Sequence, residues 1–152
     1  MTTPARSLFT PTDRPPDFVV DVSVTMAWLV GGEGAIDPFR VLRLFPYRLP
    51  LVPMTWPGEM VERVRKVRRS RAGSGVRADR FLSDFDNFAF LVDAERMNLV
   101  GPAIIELADR YRLRVGPAAA LELALRTQLP LATIDTRLRA AAARAGVALF
   151  TP

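Results

Sequence analysis

The chain has 152 residues, 49% hydrophobic and 24% charged, and a chain of that length buries about 70% of its unfolded surface, enough for one ordinary core. It contains no His and no Cys, which excludes imidazole acid/base chemistry, Ser-His-Asp and Cys-His triads, thiol redox, disulfides and zinc fingers. The 21 basic residues outnumber the 16 acidic ones for a formal charge of +5, all of it carried by Arg except at Lys66, and this favours a polyanionic partner because guanidinium forks match phosphate oxygens.

Residues 1–17 hold Pro4, Pro11, Pro15 and Pro16 among Thr and Arg with no periodic apolar pattern; they read as a flexible arm ahead of a single domain at 18–152. FVVDVS is a buried-type strand that passes into the helical stretch VTMAWLV, which Gly31 and Gly32 end. A helix is expected over 37–45, and RLPLVP is a short strand. Thr55 then caps a long helix with Pro57 in its first turn, running to about Arg69.

The glycines at 73–75 turn the chain into a helix carrying Phe81, Phe85 and Phe88 at spacings of four and three, a core-facing pattern. FAFLVD reads as a strand, 102–111 as a helix, and Gly116-Pro117 opens the helix AAALELALRT. LPLAT is the next strand, DTRLRAAAARAG the last helix and VALF a small edge strand. Strands alternating with helices predict an α/β fold whose parallel sheet of four or five strands is covered on both faces. The longest apolar stretch, 18–30, is too short to span a bilayer and is interrupted by Asp21, so no membrane and a cytoplasmic location are expected.

In such sheets, ligands sit outside the carboxyl ends of the strands. Asp21 after FVV, Glu59 in the first turn after LVPMTWP and Asp135 after LPLAT occupy that kind of place. Taken singly, each is explained as a helix cap or a complement to a helix dipole. Taken together, carboxylates crowded into one crevice repel unless protonated or bridged by a cation, and hard oxygen ligands suit Mg²⁺ or Mn²⁺.

FVVDVSVTMAWLVGGE, VPMTWPGEMVERV and LPLATIDTRLRAAAARAGVAL resemble the signature blocks of PIN domains, specifically the VapC-like toxins. The resemblance implies a three-layer α/β/α sandwich whose acidic pocket holds Mg²⁺ or Mn²⁺ and hydrolyses single-stranded RNA. Carried over by position, Asp21, Glu59 and Asp135 are the pocket acids and metal ligands, with Ser23 and Thr133 as the hydroxyl residues beside them. It further implies a small antitoxin protein and a homodimer as partners.

One position departs from the family pattern. Where the family carries a further acid at the start of the penultimate helix, this chain has Pro117 in VGPAAALELA. Glu122 lies five residues on, about 140° around a helix at roughly 100° per residue, and does not replace it. Glu106 and Asp109 stand on the preceding helix. Two readings stay open: a toxin-like endoribonuclease, impaired or specialised, and a non-catalytic module that binds RNA, an antitoxin or another partner.

Arg63, Arg65, Lys66, Arg68, Arg69 and Arg71 follow Glu59 on its own helix. They read either as a guide for an RNA backbone or as a solvated helix face. Trp28 and Trp56 lie on apolar helix faces and are expected in the core rather than stacked on bases.

Overall fold

The structure, a computed structural model, describes residues 14–70 and 74–152. Residues 1–13 of the expected arm, and Arg71 and Gly73, lie outside the described residues. The chain runs β1 (Phe18–Val20), α1 (Val22–Val30), α2 (Pro38–Leu44), β2 (Pro50–Val52), α3 (Trp56–Ser70), α4 (Ser74–Asp84), a 3₁₀ turn at Phe85–Asn87, β3 (Leu91–Val92), α5 (Met97–Tyr111), α6 (Val115–Thr127), β4 (Leu131–Ala132) and α7 (Thr136–Ala145).

The four strands form one parallel sheet in the order β3-β2-β1-β4. VALF contributes a single bridge, Leu131 to Leu149, rather than a full strand.

Side-chain alternation along these short strands divides the interior in two. Phe18, Val20, Val52 and Ala132 face a core shared with α1, α2, α3 and α4, while Val19, Leu51 and Leu131 face a core shared with α6 and α7. Strands buried on both faces are the signature of a parallel sheet between helical layers, and β1 is buried at all three positions. The first core is aromatic: Trp28 packs on Phe45, Phe85 and Phe88, and Trp56 packs on Phe85 and Phe90. The second is built of small and branched aliphatics. Both tryptophans therefore belong to the core, with the Trp28 indole N–H donating to the Pro38 carbonyl at 2.8 Å.

Three helices start on an aspartate whose carboxylate accepts the next free amides: Asp21 from Ser23, Asp37 from Phe39, and Asp135 from Arg137 and Leu138. Gly31 ends α1 at φ 77°, a conformation open to glycine without strain.

Three boundaries differ from expectation. The helix α5 begins at Met97 and carries Pro102 inside it. In α4 the helix stops at Asp84, so Phe85 sits in the 3₁₀ turn and Phe88 beyond it, although both rings join the core. Ser74 and Gly75 already belong to α4 instead of to a turn. Among the described residues, no helix is long and apolar enough to cross a membrane.

The start of β1 is tied down. Asp17 accepts the Leu49 N–H at 2.7 Å and pairs with Arg14 and Arg48, and the Leu49 amide in particular holds its carboxyl below the usual carboxylate range.

Candidate functional site

The backbone of β1 delivers Asp21 to the carboxyl end of the sheet, between β2 and β4. Its amide donates to the Ala132 carbonyl at 3.0 Å, which joins the end of β1 to the end of β4. The carboxylate is only 3% exposed. Its Oδ2 accepts from the Thr133 hydroxyl at 3.0 Å and from the Ser23 amide at 3.2 Å. Ser23 and Thr133 are themselves linked, Oγ to Oγ1 at 3.2 Å, and they also receive the amides of Ile134 and Asp135. The two hydroxyls are thus a hinge of hydrogen bonds between the β1–α1 and β4–α7 junctions.

Burial pushes the Asp21 carboxyl above its usual range; the bonds from Ser23 and Thr133 oppose the rise, and the neighbouring charge of Asp135 adds to it. The charges that act on this buried acid include those of two other acids, Asp135 and Glu59. A carboxylate in that position calls for a proton or a cation.

Glu59 stands in the first turn of α3, where its Oε1 accepts the Thr55 hydroxyl at 2.9 Å. Desolvation raises its pKa, the Thr55 bond opposes this, and Asp21 raises it further against Arg63 and Arg114. Asp21 therefore senses Asp135 on one side and Glu59 senses Asp21 on the other. The three do not close into a cage: among the described residues, no three acids come together closely enough to hold a metal ion. The three acids are linked pairwise through Asp21 instead of being gathered around one point. Mg²⁺ keeps several waters and takes one or two protein carboxylates, so Asp21 with Asp135 is the pair whose chemistry fits a divalent cation.

The tip of Glu59 is placed by a glycine. A Cβ built on Gly116, the second residue of α6, would overlap both carboxylate oxygens of Glu59. The bare Cα lets the acid lie against the positive end of α6. Gly116→Ala is expected to leave stability within about 1 kcal/mol of wild type, because the flexible Glu59 tip can turn away and alanine favours a helix. The same change brings the Glu59 pKa back toward its ordinary value. Carboxyl NMR titration checks this, and an unchanged Glu59 curve would show that Gly116 does not set its place.

Pro117 follows as the third residue of α6 and is buried. Lacking an N–H there costs nothing, since the first amides of a helix have no partner within it. The ring's burial does mean that an aspartate at 117 would replace packed apolar surface. Glu122 is 7% exposed and committed elsewhere: it receives Arg126, which also binds Asp93 at 2.6 Å. Glu106 is exposed and pairs with Arg110 along α5.

Asp93 was readable as the acid ending FAFLVD, one more carboxylate at the end of a strand, but Arg126 neutralises it. On α3, Arg65 chelates Glu62 with two bonds of 2.8 Å, Lys66 shares the same acid at 3.8 Å, and Arg68 approaches Asp79 at 3.7 Å.

The sequence matches no family model and no curated protein. Among solved structures the chain is similar to PAE2754 from Pyrobaculum aerophilum, with a TM-score of 0.59 and 17% identity over 83% of this chain and 86% of that one. At that identity the likeness establishes architecture and leaves chemistry to the residues themselves. The architecture is a PIN-like α/β fold, with a four-stranded all-parallel sheet flanked by helices.

Proposed function

We propose that the protein is a metal-dependent endoribonuclease of the VapC type, cutting single-stranded RNA, with Asp21 and Asp135 as ligands to Mg²⁺ or Mn²⁺ and Glu59 as the third pocket acid. One observation carries the reading: Asp21 is a buried carboxylate at the carboxyl end of a parallel sheet, its charged neighbour a second carboxylate. A divalent cation bound there supplies polarisation of a phosphodiester oxygen and an activated water.

The chain's own residues do the rest. Thr133 and Ser23 fix the Asp21 carboxylate, and the amides of Arg137 and Leu138 fix that of Asp135. Glu59, with its raised pKa, is the group suited to carry a proton at Oε1 or Oε2. A small antitoxin and a homodimer are the partners that go with this reading.

The second reading, a non-catalytic RNA-binding relative, draws support from Pro117 and from the open arrangement of the acids. The test is cleavage of a labelled single-stranded RNA with Mn²⁺, with EDTA, and by Asp135→Asn. Cleavage is expected with Mn²⁺ alone. Altering even an outer-shell partner of a metal ligand costs about 10–100-fold, so loss of Asp135 should exceed that. RNA bound but not cut at any Mn²⁺ concentration would leave the non-catalytic module.

A further inference from the structure

Arginines that no acid pairs with among the described residues gather on a different face from the α3 run. A groove of about 320 Å³ lies between the C-terminal end of α5 and the outer side of α7, lined by Tyr111, Arg112, Arg137, Ala140, Ala141 and Arg144. Among the described residues, no acidic side chain lines it. Arg112, Arg137 and Arg144 are exposed, and none forms an ion pair among the described residues.

Arg137 and Arg144 are seven residues apart on α7, two helical turns and one face, so their Cα atoms stand about 10 Å apart with the small Ala140 and Ala141 between them. Arg144 lies over the Tyr111 ring at 5.3 Å, which holds the cation in place without cancelling it. Arg112 sits across from them at the end of α5, in a left-handed conformation at φ 52°.

Helix stability accounts for part of this. Arg112 and Arg144 complement the negative ends of α5 and α7. Arg137 is in the first turn of α7, where a cation opposes the helix dipole and where no acidic residue lies within the turn. Its backbone N–H donates at 2.9 Å to Asp135. The groove thus begins two residues from a candidate metal ligand and leads away from it along α7.

We propose that this groove binds the sugar-phosphate backbone of single-stranded RNA, with Arg112, Arg137 and Arg144 contacting successive phosphates and delivering the strand to the end of the sheet at Asp135. The proposal rests on the RNA reading for the nature of the polyanion and is independent of cleavage. A planar guanidinium offers a fork of donors to phosphate oxygens, and three of them along a shallow groove read charge and spacing rather than base identity. The α3 run is the weaker candidate because Glu62 and Asp79 already engage Arg65, Lys66 and Arg68.

The test is fluorescence anisotropy with a labelled twelve-residue oligouridine in EDTA, at several salt concentrations. It compares wild type, Arg112→Gln/Arg137→Gln/Arg144→Gln, and Arg65→Gln/Lys66→Gln/Arg68→Gln, each checked for folding by circular dichroism. Each lost phosphate contact lowers the slope of log K against log salt by about 0.7, so the groove variant should lose about 2 from its slope and more than tenfold in affinity at 100 mM salt. The α3 variant should lose less of both. Equal slopes and affinities for wild type and groove variant would overturn the groove while leaving the nuclease reading standing, since that is judged by Mn²⁺-dependent cleavage. Failure of the wild type to bind the oligomer at 50 mM salt overturns the groove as well. A polyglutamate of equal charge that competes as strongly as the oligomer would assign the surface to an acidic protein instead.

Discussion

Asp21→Asn is expected to melt several degrees above wild type at pH 7 in cation-free buffer, and to lose divalent cation binding altogether. Asparagine caps a helix as well as aspartate does, and its side-chain oxygen still accepts the Ser23 amide and the Thr133 hydroxyl that hold Asp21. What disappears is a buried charge facing Asp135. Removing such a conflict commonly stabilises a protein by about 0.5–2 kcal/mol, and each kcal/mol moves Tm by about 2–4 °C in a chain of this size.

The pH dependence follows from the direction of the Asp21 shift. Because its folded pKa lies above the unfolded one, the folded state binds more protons between the two values, and stability falls as pH rises through that window. The advantage of Asp21→Asn should therefore shrink as pH is lowered below the folded pKa of Asp21. Asp17 acts in the opposite sense: its depressed pKa contributes stability above the unfolded value that is lost as pH falls through the folded one. Thermal melts of both proteins from pH 4 to 8, with Mn²⁺ titration calorimetry at pH 7, check the set. A variant that melts below wild type at pH 7 would mean that Asp21 is not under electrostatic strain.

Phe85→Ala is the substitution expected to damage the fold most. Phe85 meets five rings, with centroid separations of 4.9 Å to Phe81, 5.5 Å to Phe90, 5.8 Å to Trp56, 6.0 Å to Trp28 and 6.2 Å to Phe88. Truncating a buried phenylalanine costs about 3–5 kcal/mol through lost transfer energy and the cavity left behind, or about 6–20 °C in Tm. The control is Phe39→Ala, a ring 46% exposed, for which a change within about 0.5 kcal/mol is expected. Differential scanning calorimetry of the two variants against wild type decides the matter. Equal losses in both would mean that the ring cluster does not hold the aromatic core together.

The fold was largely legible in the sequence because its strongest signals are local. FVV and LPLA are apolar runs with nowhere to go but a sheet interior, and Asp21, Asp37 and Asp135 announce helix starts through the short side chains that caps require. Pro102 misled because proline most often marks a helix's first turn, whereas here α5 begins five residues earlier. Phe88 misled because its spacing from Phe81 and Phe85 is helical while its ring reaches the core from beyond the helix's end.

The carboxylates were legible from their places in the chain, Asp21 and Asp135 at the caps that follow β1 and β4 and Glu59 in the first turn of α3. Their mutual separation was not, since it depends on how far Thr55 and Gly116 draw Glu59 toward α6, a matter of side-chain contact between segments nearly sixty residues apart. The arginine groove was equally hidden. Its members come from two helices separated in sequence by two other elements, and no continuous charge run marks it.

The strand order β3-β2-β1-β4 has a consequence for how the protein is made. Asp21 depends on Thr133 for a hydrogen bond 112 positions away, and β1 completes its pairing only with Leu131 and Ala132. Synthesis runs from the N-terminus, so Asp21 remains without its orienting partner Thr133 until the segment around residue 135 has left the ribosome and closed a loop of more than a hundred residues. A nascent chain that ends before β4 contains all of β1, β2 and β3 but neither Thr133 nor Asp135. Were the protein to cut RNA as proposed, the same topology would delay its activity until the last strand is in place.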